Sequence, residues 1–524
     1  MKIFAYNSGH DGAWIDLDGG RLISCIESEK DSGERFDRLS LPVFLNSLRF
    51  EHHPDVLAIS TFAGLVSKTV ESEGDKYSLY SDEKKSSGTS ERTVLFAGRQ
   101  IPLFLSSHVR SHIMCAYGLS PFPQGQACHV LVWEGVIGAF YHVDEQVVIS
   151  KIGDVVPFPG SKYTFPYALA NSSLTTADPA GKMMALAAYG RCGPPTQAEQ
   201  EMVNMILSAE IEETLPVWKT AKSKFDDTAY YKIGIESQPF KDLARQLSTA
   251  IFGRFYAFAS KHVQRHLPLL IVGGCGLNCA WNSQWKRCGL YTDVFVPPCA
   301  NDSGVALGAA VDAQYHYTGQ AKVDWTVYAG EPFIEDVASP ASMKCEELSL
   351  AAVCSFLKDG NVVAWVQGRY EMGPRALGNR SLLAAPFATA TRDRLNRIKQ
   401  REFFRPIAPV CMEEEFNVHF ENDGLSPHML YFQRVKTKAL AAVTHIDGSA
   451  RAQSVSQNEN SKLWELLREF RAQTGFGVLC NTSLNFSGRG FINRLSQLFK
   501  LAIQQEIDGI VVGNRFWQVK HRPA

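Results

Sequence analysis

The chain is 524 residues long, 45% hydrophobic and 20% charged, with a net charge of −1. That length exceeds one ordinary hydrophobic core and predicts two or more domains, while the near-neutral balance excludes the electrostatic footprint of a protein that wraps nucleic acid. No apolar run reaches the length of a bilayer span, the opening residues lack the apolar stretch of a signal peptide, and the twelve cysteines form no CxxC pair, so the reading is a cytoplasmic chain with reduced thiols and no membrane partner.

In chain order, Ile3–Ser24 reads as strand, glycine turn, strand, Asp-Gly-Gly turn, strand, and Val130–Ser150 repeats that rhythm. Two β-meanders that open on a glycine turn, each followed by helical segments, predict a duplicated α/β domain. Actin, hexokinase and Hsp70 ATPases are built in this way, with nucleotide between the halves; two unrelated hairpins are the plainer alternative. His10 and Asp11 fall in the first glycine turn. In the functional reading one of them is a general base that takes the proton of an acceptor hydroxyl; in the plainer one, Asp11 only satisfies turn amides. Between the meanders, Ser106–Gly118 reads as a capped helix ended by glycine, with His108 and His112 one turn apart on one face. Two such imidazoles can share an ion, although HxxxH alone is more often a surface or core pair. Gly181–Gly190 reads as a cleft-lining segment, with Lys182 either on phosphate or in solvent.

Leu269–Cys279 is a third strand and glycine turn, in which Gly273, Gly274 and Asn278 are candidates for nucleotide contact. In Asn301–Ala310 a strand ends and Ser303 can cap a helix whose N-terminus favours phosphate. Asp302, at that turn, is the candidate third metal ligand. Two histidines and one carboxylate leave positions open and suit Fe(II) or Zn(II). Between Tyr328 and Leu348 the composition shifts to Pro, Ser, Glu and Ala, which places a domain boundary near residue 340. Beyond it Val362–Val366, Leu430–Phe432 and Gly477–Leu479 read as strands, with Ala390–Lys399 and Asn460–Thr474 as helices, so residues 341–524 form a second, smaller α/β domain after 1–340.

This second part carries the strongest motif. Gly368–Phe387 holds Arg369, Arg375 and Arg380 at spacings of six and five among glycines and a proline. Lys399 and Arg405 follow, then Arg451, then the amide- and hydroxyl-rich run Asn481-Thr-Ser483. Guanidinium forks match phosphate and carboxylate oxygens, and glycine and proline stiffen the turns that carry them. The set predicts an anion pocket in which Asn and Ser hold a small planar amide; unrelated salt bridges are the alternative.

On these motifs the chain resembles the O-carbamoyltransferases that decorate natural products and nodulation factors, most closely those acting on hydroxymethylcephems. The resemblance implies an N-terminal actin-like domain with a metal, usually iron, at His108, His112 and Asp302, and a YrdC-like C-terminal domain. It implies that carbamoyl phosphate and ATP, with Mg(II), form carbamoyladenylate. Arg375, Lys399 and Arg405 would be catalytic there, and Arg369, Arg380, Arg451, Asn481 and Ser483 would bind nucleotide or carbamoyl phosphate. The carbamoyl group would then pass internally to a small hydroxylated acceptor, a cephem among the candidates. Two positions depart from the broader pattern: Glu134-Gly135, where many relatives carry Asp-Gly, and Arg489, where an acid is common. A sugar-kinase-like phosphotransferase, carbamoylation of a nucleoside, a tRNA threonylcarbamoyl-modifying protein and a nucleotide-sensing scaffold are the competing readings. Acceptor choice is assigned to the loops Thr61–Arg99 and Pro194–Ile235, and the polar run Glu71–Arg92 is read as a loop near that pocket or a solvated insertion. A homodimer is the default expectation for a soluble enzyme.

Overall fold

The computed structural model describes residues 1–39, 53–61, 88–171, 179–210, 224–340, 343–421, 423–486 and 488–519. Apolar runs buried on both faces build the first meander, Lys2–Asn7, Ala13–Asp18 and Arg21–Glu27, paired antiparallel. Val56–Thr61 joins it parallel to Lys2–Asn7, Arg99–Ser107 joins parallel beyond that, and Thr89–Phe96 closes the edge. The second meander is Cys128–Trp133, Gly138–Val143 and Ile149–Asp154, to which Leu269–Val272 and Val294–Phe295 add in parallel on the Cys128–Trp133 side. The two sheets therefore share one topology, and the expected duplication is present in the strand order itself. The polar run that opens at Glu71 lies outside the described residues up to position 87, but its last residues, from Thr89, are edge strand.

The duplication fixes the key helices. His108–Leu119 follows the strand Arg99–Ser107, and Ser303–Thr318 follows Val294–Phe295, so the two hold equivalent places. They pack against each other in the core between the sheets, with Met114, Ala306, Ala310 and Val311 fully buried. The contact is nearly backbone to backbone: a Cβ on Gly308 would lie 1.7 Å from the Ser111 carbonyl oxygen. The first helix is capped by Ser107 and runs one residue past Gly118. Ser303 does not cap the second; it is its first helical residue, and its hydroxyl donates to Asn301 Oδ1 at 3.2 Å.

Residues 344–518 build a third, eight-stranded mixed sheet with Val363–Val366, Arg380–Ala384, Val478–Ser483 and Ala408–Met412 at its centre. Leu350–Lys358 and Ser461–Thr474 supply the core on one face, and Thr389–Ile398 and Leu495–Gln504 on the other. Asn460 caps the long helix, its Oδ1 accepting from Leu463 N. Leu430–Phe432 is not a strand. Leu430 and Tyr431 are drawn instead into the apolar core of the second half, where the Tyr431 hydroxyl donates to the Val294 carbonyl. All twelve cysteines are free thiols, and no helix among the described residues is long and apolar enough to cross a membrane.

Candidate active site

His108 and His112 occupy the first turns of their helix, and Asp302 stands immediately before the equivalent helix of the other half. Glu134 completes the group from the turn that follows Cys128–Trp133. His112 Nε2 lies 3.2 Å from Glu134 Oε1 and 3.3 Å from Asp302 Oδ1. His108 Nε2 lies 3.3 Å from Glu134 Oε2 and 3.8 Å from Asp302 Oδ1. All four side chains are buried, and one donor atom from each falls within 4.8 Å of the others. His112 Nε2 and Glu134 Oε1 come close without forming an aligned hydrogen bond, although both atoms are buried. Nitrogen and oxygen donors packed this tightly, and orphaned as hydrogen-bond partners, fit a divalent cation. Burial works to raise the Asp302 carboxyl, but His112, His108 and His10 beside it hold it well below the usual carboxylate range.

His10 stands over this cluster, with Nε2 at 3.1 Å from Asp302 Oδ2 and Nδ1 at 3.2 Å from Asp11 Oδ2. The bond to Asp11, against the opposing effect of burial and with help from Asp302, pushes His10 up to about 9. Its ring is therefore charged at neutral pH in this arrangement. Positive charge in the cluster below would oppose that protonation.

A cavity of about 540 Å³ opens from this cluster into the C-terminal sheet. Asp11, Glu134 and Asp302 line it together with Arg375, Arg405, Arg451, Asn481 and Ser483, and so do Gly274 and Asn278. Arg375 is placed by its loop. The buried Glu371 carboxylate accepts from the backbone of Leu377, Asn379 and Arg380 at 2.7, 2.9 and 3.2 Å. Gly373 takes φ +81, and a Cβ there would meet the Pro298 carbonyl at 2.1 Å, so only glycine lets this loop dock beside the segment that carries Asp302. The Arg375 guanidinium donates to the Leu277 carbonyl at 2.9 Å. Asn481 Nδ2 donates to Ala376 O and Gln453 Oε1, and its buried Oδ1 has no aligned partner.

Four of the expected site residues, Arg369, Arg380, Lys399 and Gly273, do not line the cavity. Arg380 is fully buried outside the cavity and donates to Asn493 and to backbone carbonyls. Arg369 donates to the carbonyls of Ile23, Ala329 and Gly330, tying the N-terminal half to its own loop. Lys399 is buried behind the cavity wall, donating to the Ser483 and Asn485 carbonyls and to Asn485 Oδ1. Burial, followed by the charges of Arg401, Arg405 and Arg35, drives its ammonium well below the usual lysine range. Gly273 does not line the cavity. At φ +90 it passes so close to Trp133 that a Cβ would lie 2.4 Å from the carbonyl oxygen, which lets the Glu134 turn sit against the next strand. Lys182 pairs with Glu402 at 2.7 Å, and Arg489 forms a backbone bridge with Glu34 outside the cavity.

Glu134, Arg401 and Arg35 were missed as site residues. Glu134 had a signal: it occupies, in the second meander, the turn that His10 and Asp11 occupy in the first. Arg401 had one too, since it falls inside the basic run Lys399–Arg405, whereas Arg35 stands two residues past Gly33 in a turn with no further motif.

A buried ligand cluster that faces a cation-lined cavity suits a group-transfer enzyme handling anionic substrates. Residues 354–519 match the family described as carbamoyltransferase C-terminus, and residues 67–233 and 256–311 match carbamoyltransferase N-terminus. The chain is 43% identical to 3'-hydroxymethylcephem-O-carbamoyltransferase of Streptomyces clavuligerus, over 99% of each chain. It is 42% identical to the protein of that name from Amycolatopsis lactamdurans, again over 99% of each, and 31% identical to nodulation protein U of Bradyrhizobium diazoefficiens, over 94% of this chain and 93% of that one. Likeness to solved structures is loose: a putative 2-dehydro-3-deoxygalactonokinase from Sinorhizobium meliloti shares 9% identity at TM-score 0.31, covering 61% of this chain and 99% of that one, and carries no argument. The chain belongs to the carbamoyltransferase family and is an enzyme of that class. Family membership sets aside the phosphotransferase and scaffold readings.

Proposed function

We propose that this enzyme converts carbamoyl phosphate and ATP to carbamoyladenylate at the cationic end of the cavity and passes the carbamoyl group to a hydroxyl at the other end. The acceptor class we assign is a small hydroxylated natural product of the hydroxymethylcephem type, in antibiotic biosynthesis. The observation that carries the reading is that both ends line one cavity. The division into 1–340 and 341–524, actin-like and YrdC-like, goes with it, supported by the duplicated pair of sheets and the separate eight-stranded sheet.

In the first step Arg375, Arg405, Arg451 and Arg401 offset the charge that builds as two phosphate-bearing substrates approach. Asn481 and Ser483 hold the planar carbamoyl group, and Lys399, from behind, keeps the Ser483 turn in place. Water cleaves the phosphate from carbamoyl phosphate, the carbamate oxygen so released attacks the α-phosphorus of ATP, and the bond to the β-phosphate breaks so that pyrophosphate leaves. In the second step the acceptor oxygen attacks the carbamoyl carbon, AMP leaves, and the acceptor proton passes to the His10–Asp11 pair, whose Asp11 carboxylate can take it when the ring is charged. His108, His112, Glu134 and Asp302 are the residues that would hold a divalent metal, Fe(II) or Zn(II), which when bound polarises carbonyl and phosphoryl oxygens.

The test is stepwise. Protein incubated with carbamoyl phosphate, ATP and Mg(II), without acceptor, is expected to yield carbamoyladenylate by mass spectrometry, and a hydroxymethylcephem added afterwards is expected to gain one carbamoyl group. Arg375→Ala is expected to abolish the first product, and His108→Ala to retain it while blocking transfer. Both variants failing at the first step would overturn the two-site reading.

A further inference from the structure

Arg35 is the one Lys or Arg among residues 1–340 that lines the cavity, within the described residues. The segment that carries it is fixed at both sides. Gly490 N donates to the Gly33 carbonyl at 3.0 Å and Glu34 bridges Arg489, which binds it to the C-terminal sheet. Asp11 N and Gly12 N donate to the Phe36 and Asp37 carbonyls at 3.4 and 2.8 Å, which binds it to the turn that carries His10. Phe36 is held at φ +60, an unfavourable conformation for a bulky residue that the surrounding bonds impose.

The side chain is aimed as well as anchored. The buried Glu29 carboxylate approaches Arg35 Nε at 3.3 Å and also accepts from Phe36 N at 3.4 Å. The guanidinium lies 5.1 Å from the Phe36 ring centre. Among the described residues nothing takes its two terminal NH2 groups, while the side chain is 27% exposed on the cavity. Its charge reaches the far wall: with Arg401 and Arg405 it depresses the Lys399 ammonium. A cation brought from the other half, set beside the Glu29 carboxylate at Nε and open at its forked end, has the form of an anion-binding side chain.

We propose that Arg35 is a phosphate-binding residue that the N-terminal half contributes to the activation pocket, meeting the phosphates of ATP or carbamoyl phosphate where the two halves join. The inference rests on the carbamoyladenylate reading above. Calorimetric titration of the full-length protein with ATP and with carbamoyl phosphate, each alone, tests it on wild type, Arg35→Met and Arg35→Lys. Met keeps the stem beside Phe36 without the charge, and Lys keeps the charge without the fork. Arg35→Met is expected to weaken one or both ligands about tenfold, the loss of one charge-assisted contact, and Arg35→Lys to recover part of it. Unaltered affinity in Arg35→Met overturns the inference, as does a defect confined to the KM of the acceptor. Wild type that binds neither ligand overturns the underlying reading, and this one with it.

Discussion

Arg380 donates from Nε and NH2 to Asn493 Oδ1, and from NH1 and NH2 to the carbonyls of Gln367, Asn379 and Gly368, with its guanidinium 5.2 Å from the Phe333 ring centre. Removing it orphans an amide oxygen and several carbonyls in a fully buried site. Arg380→Met is therefore expected to cost about 3 kcal/mol or more of stability, read as a lower denaturation midpoint. Arg375→Met, five residues earlier, is expected to leave the midpoint unchanged and to remove adenylate formation. Sequence could not separate the two, because which guanidinium meets the cavity is decided by the backbone turn at Gly373 and Pro374 and by the Glu371 carboxylate beneath it. The buried cluster was partly legible: helical spacing puts His108 and His112 on one face, but Glu134 required following the repeat through to its turns. With both of its carboxylate oxygens within 3.3 Å of an imidazole, Glu134→Gln is expected to lower bound-metal stoichiometry in elemental analysis while adenylate still forms. Unchanged metal content would remove Glu134 from the ligand set.

The same site looks different at the scale of elements. Two equivalent helices bring the metal residues together only because they cross at backbone distance, and the spacing of His108 and His112 from Asp302 is set by that crossing. Gly308 is the tightest point, a would-be Cβ lying 1.7 Å from Ser111 O and 3.0 Å from Cys115 N. Gly308→Val is expected to push the helices apart, destabilise the protein by about 1–3 kcal/mol through overpacking, and weaken metal affinity although no ligand is touched. Full metal content in a folded Gly308→Val protein would break the link between crossing and site. This element-level order was largely visible beforehand, since the meanders repeat in sequence and the small residues after Asp302 announce close packing. The C-terminal sheet was less so. Its central strands pair with partners distant in sequence, such as Val363–Val366 with Gly509–Val512, and Leu430–Phe432 looked like a strand because a short apolar run does not say whether its burial comes from a sheet or from another domain.

Across the whole molecule, a buried ion pair joins the two ends of the cavity. Lys30 Nζ lies 2.8 Å from Glu27 Oε2 and donates to the carbonyls of Glu371 and Gly373, while Gly373 N donates to Glu27 Oε1 at 2.6 Å. The N-terminal half thereby grips the loop that aims Arg375, and Gly373 in turn abuts Pro298 and Cys299, next to Asp302. Lys30→Met would leave Glu27 buried without its counter-charge, at a cost of about 3–5 kcal/mol, and adenylate formation is expected to fall with it although Lys30 lines no part of the cavity. With the loop so fixed, one cavity holds both sets of residues, and the proposed intermediate would move within it. Mixing Arg375→Ala protein, intact at the transfer end, with His108→Ala protein, intact at the activation end, tests that route directly. If carbamoyladenylate moves only within one chain, the mixture is expected to transfer no more carbamoyl group than the sum of the separate variants, even with both in large excess over acceptor. Restored turnover that grows with the concentration of either variant would mean that the adenylate escapes and is recaptured, and the shared cavity would then be a consequence of packing rather than the path of the reaction.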